Sequence, residues 1–165
     1  MIIERKWAMP NKWTFKIKPI QELLDKEIDG DFIDPFAGMC SPCRITNDLN
    51  PEMPTTHHMD AIEFLKSFEN ESVDGVLYDP PYSQRQVKEC YDGIQGGMNW
   101  DGRMTFWSKS KDEVARIIKP GGKAICFGWN SMGLGAKRGF KMLRILIVPH
   151  GGSRNDTICT VEVKE

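Results

Sequence analysis

Apolar positions recur along this chain with two alternating spacings, one typical of helices and one typical of strands. Ile20, Leu23, Leu24 and Ile28 lie three or four residues apart and predict a helix that begins at Pro19. Short apolar or alternating runs after this helix predict a series of strands. The predicted strands are Phe32–Asp34, Arg44–Asp48, His57–Met59, Asp74–Tyr78, Lys123–Phe127, Lys141–Val148 and Thr157–Val163.

Two further helices are predicted between these strands. One runs from about Ala61 to Phe68, and the spacing of Ser110 and Glu113 is that of a capping box at the start of the other. Strands that alternate with helices favour an α/β fold, in which helices cover the faces of a mostly parallel sheet. The loop of residues 149–156 is too short for a crossover helix, so we expect the last two strands to pair antiparallel.

The length of 165 residues predicts a single domain that spans residues 1–165. Residues 1–18 are basic and aromatic, and we interpret them as an N-terminal arm or short strand. Residues 83–107 show no clear period, and we interpret them as a loop that contacts the substrate. At this length we expect no separate recognition domain.

The segment Asp79-Pro80-Pro81-Tyr82 is the most informative chemical feature of the sequence. It follows a buried apolar run, at the carboxyl end of a predicted strand, where ligands bind in open α/β sheets. The two prolines fix the backbone and make the turn stiff. Asp79 and the Pro80 carbonyl would accept the two hydrogens of an exocyclic amine, and Tyr82 would stack on the ring that carries it. The alternative is a proline-rich surface turn after a core strand.

This tetrapeptide resembles the signature of the amino-methyltransferases, which methylate adenine N6 or cytosine N4 with S-adenosylmethionine. Upstream, Asp34-Pro35-Phe36-Ala37-Gly38 is similar to the cofactor turn of the same family. The order of the two motifs is similar to that in small adenine-specific DNA methylases of phages and other mobile elements. The resemblance implies a class I methyltransferase (Rossmann-like) sheet with strand order 3-2-1-4-5-7-6 and an antiparallel last strand. It also implies S-adenosylmethionine as the cofactor and no metal.

The resemblance assigns further cofactor-binding roles. In the family, the turn Asp34–Gly38 surrounds the methionine end of the cofactor, and its leading aspartate meets the ammonium group. Asp48 is expected to bind the ribose hydroxyls, with a turn-forming role as the alternative. Asp60 is expected to meet the amino group of the cofactor's adenine, with a helix cap as the alternative. Phe15 and Lys18 are assigned to the segment that flanks the methionine tail.

One segment departs from the family's pattern. Only residues 39–43 separate Gly38 from the next predicted strand, whereas a parallel connection needs about a dozen residues. The crossover helix of the cofactor loop is therefore missing or shortened, and we expect an extended link in its place. Because a helix N-terminus near the cofactor is lost, a non-catalytic relative that binds S-adenosylmethionine stays open as a second hypothesis.

Four residues outside the tetrapeptide are candidate substrate contacts. Arg85 lies in the segment Ser83–Gln86 that continues the turn, and it would meet a phosphate, or a carboxylate of the acidic residues 1–102. Trp129 follows a predicted strand and would offer an aromatic face to a base, with a core position as the alternative. His150 and Asn155 lie in the loop before the last strand and would read the base edge. A histidine bound to a backbone carbonyl is the alternative for His150.

Charge and composition narrow the range of partners. The net charge is −1, but acidic residues outnumber basic ones before residue 103 and basic residues outnumber acidic ones after it. The basic part predicts contact with phosphates, unless folding interleaves the two parts. Five cysteines with no second pair at zinc spacing favour free thiols over a metal site. The lack of a long apolar run and of a signal-peptide pattern predicts a cytoplasmic protein with no membrane span.

The sequence therefore predicts transfer of a methyl group from S-adenosylmethionine to the exocyclic amine of adenine in DNA. Methylation of RNA adenine, methylation of a protein glutamine, and cofactor binding without turnover are the alternatives. Sequence selectivity would come from residues 83–107, from the second subunit of a homodimer, or from a partner protein.

Overall fold

The computed structural model describes residues 1–93 and 100–165. Short 3-10 helices lie at Thr14–Lys16 and Ala136–Arg138. The strands are β1 (Ile2–Arg5), β2 (Phe32–Asp34), β3 (Ile45–Thr46), β4 (Val73–Tyr78), β5 (Ile118–Gly128), β6 (Phe140–Val148) and β7 (Thr157–Lys164). The α-helices are α1 (Lys18–Glu27), α2 (Ala61–Lys66), α3 (Gln84–Asp92) and α4 (Trp100–Ile117).

The strands form one sheet in the order β1-β6-β7-β5-β4-β2-β3. β7 pairs antiparallel with β5 and β6, and the other pairs are parallel. The predicted strand order and the reversed last strand are thus confirmed, with β1 added beside β6. The predicted strand His57–Met59 is reduced to one parallel bridge between Asn47 and His57. The strand pairing ends there because the backbone of Met59 is hydrogen-bonded to the Asn47 side chain and not to a neighbouring strand.

The extended link between β2 and β3 is also confirmed, since no helix lies in residues 35–44. The backbone after β2 bonds directly to the end of β3 instead. Asn47 N donates to the Asp34 carbonyl at 2.8 Å, and Ala37 N donates to the Asn47 carbonyl at 2.9 Å. The Asn47 side chain adds a bond to the Pro35 carbonyl at 3.2 Å. These bonds hold the carboxyl ends of β2 and β3 side by side.

Two expectations about the segment after the tetrapeptide are wrong. Residues 83–107 form α3 and the start of α4 where the structure describes them, while residues 94–99 lie outside the described residues. The Ser83 hydroxyl caps α3 by accepting a hydrogen bond from Gln86 N at 3.2 Å. This helix is polar and buries only two of its residues, Val87 and Tyr91, so few apolar positions marked it in the sequence.

The capping box at Ser110 and Glu113 is the second error, since α4 continues through both residues. Ser110 is fully buried inside the helix, where its hydroxyl and the Tyr78 phenol lie 2.6 Å apart. Glu113 pairs with Arg116 at 2.8 Å within the same helix. The hydroxyl thus satisfies a buried phenol instead of a helix end.

The sheet is covered on both faces. Alternate residues of the central strands face opposite sides, so Leu77 packs toward α1 and Val76 packs toward α2 and α4. Each fully buried aliphatic side chain contributes about 1.5–3 kcal/mol to this packing. The carboxyl ends of the parallel strands β2, β3 and β4 therefore meet at one edge of a rigid layer.

Candidate active site

The tetrapeptide is fixed at the carboxyl end of β4 by two hydrogen bonds from the helices behind it. The indole Nε1 of Trp107 donates to the Pro81 carbonyl at 2.8 Å. Tyr82 N donates to the Gln86 side chain at 2.7 Å. Since each proline also fixes its own φ, the turn holds Asp79 and Tyr82 with little freedom.

The Tyr82 phenol donates a hydrogen bond to Asp79 Oδ1. Burial among apolar groups raises the pKa of Asp79 to about 6, although the hydroxyls of Tyr82 and Thr14 lower it. Asp79 is therefore ionised at neutral pH and close enough to neutrality to accept a proton.

A cavity of about 650 Å³ opens beside Asp79. Its walls come from the 3-10 turn before α1, the turn after β2, the end of β3, the tetrapeptide, and helices α2, α3 and α4. The lining residues are Thr14, Pro35, Phe36, Asp48, Leu49, Asn50, Ala61, Asp79, Pro80, Pro81, Tyr82, Gln86, Glu89, Cys90, Tyr91, Gly93 and Phe106. The volume and the mixture of apolar walls with a few carboxylates are those of a small-molecule site.

Asp48 lies on the cavity wall and also fastens the turn after β2. Its Oδ2 accepts from Gly38 N at 3.0 Å and its Oδ1 accepts from Asn50 N at 2.8 Å. Gly38 has a φ of 54°, and a Cβ there would lie 3.3 Å from the Trp13 ring, so a side chain at this position would strain the turn. The turn-forming alternative for Asp48 is therefore observed, together with a position at the cavity.

Asp34 and Asp60 lie behind the cavity wall and do not line it. Asp34 is fully buried and accepts from Phe36 N at 2.9 Å and from the Ser41 hydroxyl at 2.6 Å. Burial raises the pKa of Asp34 to about 7, and the charges of Asp79 and Asp48 add to the increase. Asp34, Asp48 and Asp79 are thus close enough to influence one another electrostatically.

Asp60 serves as a helix cap, which is the alternative that the sequence left open. Its Oδ1 accepts from Ile62 N at 2.9 Å and Glu63 N at 3.1 Å at the start of α2. The Tyr91 phenol donates to its Oδ2 and thereby ties α3 to α2. Asp60 thereby helps to position Tyr91 and the neighbouring Ala61, both of which line the cavity.

The N-terminal arm contributes a residue that the sequence did not single out. Buried and less buried positions alternate there, so Phe15 packs in the core against Phe127, with ring centroids 5.2 Å apart, while Thr14 faces the cavity. Lys18 is exposed at the start of α1. Strand-like alternation around Phe15 and Ile17 was the available signal for Thr14, but no motif marked its hydroxyl.

A second, smaller cavity of about 150 Å³ lies on the other side of the tetrapeptide and shares Pro80 and Tyr82 with the first. Trp129 stands at its wall, with its ring centroid 5.5 Å from that of Tyr82 and the two planes 70° apart. Trp107 and Lys111 of α4 also line it. The structure thus brings Tyr82 and Trp129 together, as the sequence proposed for a base-binding site.

The other three substrate candidates do not line either cavity. Arg85 is exposed and pairs with Glu89 at 2.7 Å. His150 is bound to a backbone carbonyl, the alternative that the sequence left open: its ring lies between the Ala8 carbonyl at 2.9 Å and the Thr157 hydroxyl at 2.8 Å, so both nitrogens are occupied. Asn155 is exposed in the loop between β6 and β7. We therefore do not keep these three residues in the site.

Within residues 1–93 and 100–165, no helix is long and apolar enough to cross a membrane. The five cysteines are unpaired. The same described ranges contain no group of three or more metal-ligating side chains that could hold an ion.

Comparisons with known proteins agree with this architecture. No family model matches the chain. The type II methyltransferase M.BamHI from Bacillus amyloliquefaciens is 31% identical over 75 residues, which are 44% of this chain and 17% of that protein. The chain therefore spans much less than the full length of this curated relative.

Solved structures show the likeness in fold. The crystal structure of TrmN from Thermus thermophilus has a TM-score of 0.57 and 17% identity, over 90% of this chain and 48% of that one. The 1,6-didemethyltoxoflavin-N1-methyltransferase of Burkholderia thailandensis, solved with S-adenosylhomocysteine, has a TM-score of 0.54 and 11% identity, over 89% and 77%. The strand order, the reversed β7 and these likenesses define the class I methyltransferase fold.

Proposed function

We propose that this protein transfers a methyl group from S-adenosylmethionine to the exocyclic amine of adenine in DNA. The observation that carries the proposal is the position of Asp79, Pro80 and Tyr82 between the two cavities. One cavity is large enough for a small-molecule cofactor, and the other offers aromatic walls to an acceptor. The partial similarity to a type II methyltransferase supports the reaction class.

The larger cavity fits the proposed cofactor in both charge and polarity. S-adenosylmethionine supplies a methyl group on a positively charged sulfur. Asp48 and Glu89 line the cavity and would accept hydrogen bonds from ribose hydroxyls. Phe36, Tyr91 and Phe106 provide apolar wall for a planar ring. The field of the neighbouring carboxylates favours a cationic ligand over an anionic one.

Asp79 and the Pro80 carbonyl would orient the acceptor amine. The lone pair of an aromatic amine is delocalised into its ring, which makes the nitrogen a poor nucleophile. Hydrogen bonds from its two N–H groups to Asp79 and Pro80 favour a more tetrahedral nitrogen, and its lone pair then points toward the methyl group. Alignment of this kind is worth several kcal/mol of activation free energy. After transfer the nitrogen loses one proton, to Asp79 or to water.

The smaller cavity supports a nucleic-acid base as the acceptor. A base in a duplex has to leave the stack before an enzyme can reach its amine, and aromatic side chains then hold it. Tyr82 and Trp129 stand at one cavity with a tilted arrangement of rings. Exposed basic side chains after residue 103, such as Lys137 and Arg154, would meet the phosphates.

Transfer of a labelled methyl group tests the proposal. The protein is incubated with tritiated S-adenosylmethionine and a panel of double-stranded DNA, single-stranded DNA, RNA and protein acceptors. We expect label in DNA that contains adenine and none in matched DNA without adenine. Label in RNA or protein alone would replace the proposed acceptor. Cofactor binding with no transfer to any acceptor would favour the non-catalytic alternative.

A further inference from the structure

The loop of residues 129–135, which follows β5, has an exposed half and a buried half. In the exposed half, Trp129 is 44% exposed and Met132 is 70% exposed. A turn in this half is closed by Met132 N, which donates to the Asn130 side chain at 3.0 Å. The following segment, Gly133–Gly135, runs beneath the surface, with Leu134 only 2% exposed.

Three charged side chains from three different elements hold the backbone of Gly133–Gly135. Glu162 of β7 accepts from the last two amides of this segment, at 2.6 and 3.0 Å. Lys111 of α4 donates to its first carbonyl at 2.6 Å. Arg138 donates to its second carbonyl at 3.2 Å. Such charge-assisted bonds to a backbone are stronger than neutral ones and fix its position.

The buried Glu162 carboxylate is hydrogen-bonded by the backbone of this loop. It is 1% exposed, and a buried carboxylate destabilises a fold unless its oxygens are bonded. Both of its oxygens are bonded to the loop. A Cβ on Gly133 would lie 2.1 Å from Glu162 Oε2, so glycine is required where the loop crosses the carboxylate. Loop and carboxylate therefore fit one another closely.

The same loop forms a wall of the smaller cavity. Trp129, Asn130 and Gly133 line it, and Lys111 lines it from α4. Tyr82 also lines this cavity, and its ring packs edge to face against Trp129, with centroids 5.5 Å apart. The position of the Trp129 ring against Tyr82 therefore depends on where the loop is anchored.

We propose that Glu162 and Lys111 are positioning residues that fix the 129–135 loop as one wall of the acceptor site. Glu162 acts through the loop backbone, Lys111 acts through it and also lines the smaller cavity, and neither residue lines the cofactor cavity. This inference rests on the proposed function, because it takes a nucleic-acid base as the occupant. We therefore expect that loss of the anchor weakens acceptor binding and leaves cofactor binding unchanged.

The substitution Glu162→Gln tests this separation, with Glu27→Gln as a matched control. Glu27 is also a poorly exposed carboxylate, but it pairs with Lys123 and Arg144, whose strand partners Val163 and Val161 flank Glu162 and face the opposite side of the sheet. We expect Glu162→Gln to raise the KM for DNA by about tenfold, since small displacements at a site have large effects. The cofactor Kd stays unchanged, and Glu27→Gln changes neither value. A KM for DNA equal in the two variants would overturn the inference.

If Glu162→Gln does not fold, a second variant and a second measurement test the same anchor. Lys111→Met keeps the bulk of the side chain and removes its bond to the Gly133 carbonyl, and we expect the same rise in the KM for DNA. Hydrogen exchange then measures the anchor without any activity. The amides of Leu134 and Gly135 are expected to exchange faster in Lys111→Met than in Glu27→Gln. Unchanged exchange would show that Lys111 does not anchor the loop and would overturn the inference. Faster exchange in a protein that methylates nothing would refute only the proposed function.

Discussion

The phenol of Tyr82 donates a hydrogen bond to the carboxylate of Asp79, three residues earlier in the chain. The Thr14 hydroxyl, from the N-terminal arm, also lowers the pKa of this carboxylate. The Tyr82 phenol thus occupies an acceptor that an amine substrate requires. An entering amine has to displace this phenol or share the carboxylate with it, and Tyr82 lines both cavities.

Replacing the two hydroxyls is expected to change the pH dependence of methyl transfer. The ionised form of Asp79 accepts the amine hydrogens, so activity rises with pH through the Asp79 pKa of about 6. Both hydroxyls lower that pKa. Tyr82→Phe and Thr14→Val should therefore each move the acidic limb of the pH–rate profile to higher pH. An unchanged limb in both variants would contradict the assignment of the limb to Asp79.

Asp48→Ala should weaken cofactor binding. Asp48 lines the larger cavity and would accept charge-assisted hydrogen bonds from the ribose. Loss of such bonds costs about 1.5–3 kcal/mol, which is roughly a tenfold to hundredfold rise in Kd. Calorimetry with S-adenosylhomocysteine measures it, and Asp25→Ala on the exposed face of α1 is the control. Equal cofactor affinity in the two variants would show that Asp48 does not bind the cofactor.

Asp34 is expected to make the protein less stable as the pH rises. Its pKa in the folded state, about 7, lies above the ordinary value of 3.8. Between these values the folded state binds more protons than the unfolded state, so the free energy of unfolding falls with increasing pH. The loss for this fully buried group is on the order of 2–4 kcal/mol. Denaturant unfolding at pH 5 and pH 8 should show a smaller loss for Asp34→Asn, and an identical loss would contradict the assignment.

Binding to nucleic acid should depend steeply on salt. Protein cations that neutralise phosphates release counterions, with a log–log slope of about −0.9 per neutralised phosphate on duplex DNA. Lys137 and Arg154 are exposed, and replacing either by glutamine should make the slope shallower by about one if its side chain neutralises a phosphate. Lys26→Gln on the exposed face of α1 is the control. Filter binding at several salt concentrations measures the slope, and a salt-independent interaction would count against nucleic acid.

The sequence predicted the fold, and it marked the turn around which the candidate site is built, because both depend on local signals. Asp79 and Tyr82 follow an apolar strand, and the strand's carboxyl end determines where they lie. The missing helix after Gly38 was evident from the number of residues alone. Thr14 was not predictable in the same way, because its contact with Asp79 spans 65 positions of the chain and depends on how the arm packs.

The errors also have physical reasons. His150 was placed at the site because its loop connects two strands, but loop direction does not fix side-chain direction. Its ring turns inward to the Ala8 carbonyl, which the parallel pairing of β1 with β6 brings near. Ser110 has the pattern of a helix cap, but it satisfies the Tyr78 phenol instead. Both residues hydrogen-bond partners from distant segments, and a local pattern holds no information about such partners.

The central claim is that Asp79 directs methyl transfer to the adenine amine, and nucleoside analysis tests it most directly. DNA treated with the protein and S-adenosylmethionine is digested to nucleosides and examined by mass spectrometry, with Asp79→Ala and the control Asp25→Ala in parallel. We expect N6-methyldeoxyadenosine from the wild type and the control. We expect none from Asp79→Ala, whose cofactor affinity is retained. Full activity of Asp79→Ala, or a methylated nucleoside other than N6-methyldeoxyadenosine from the wild type, would contradict the claim.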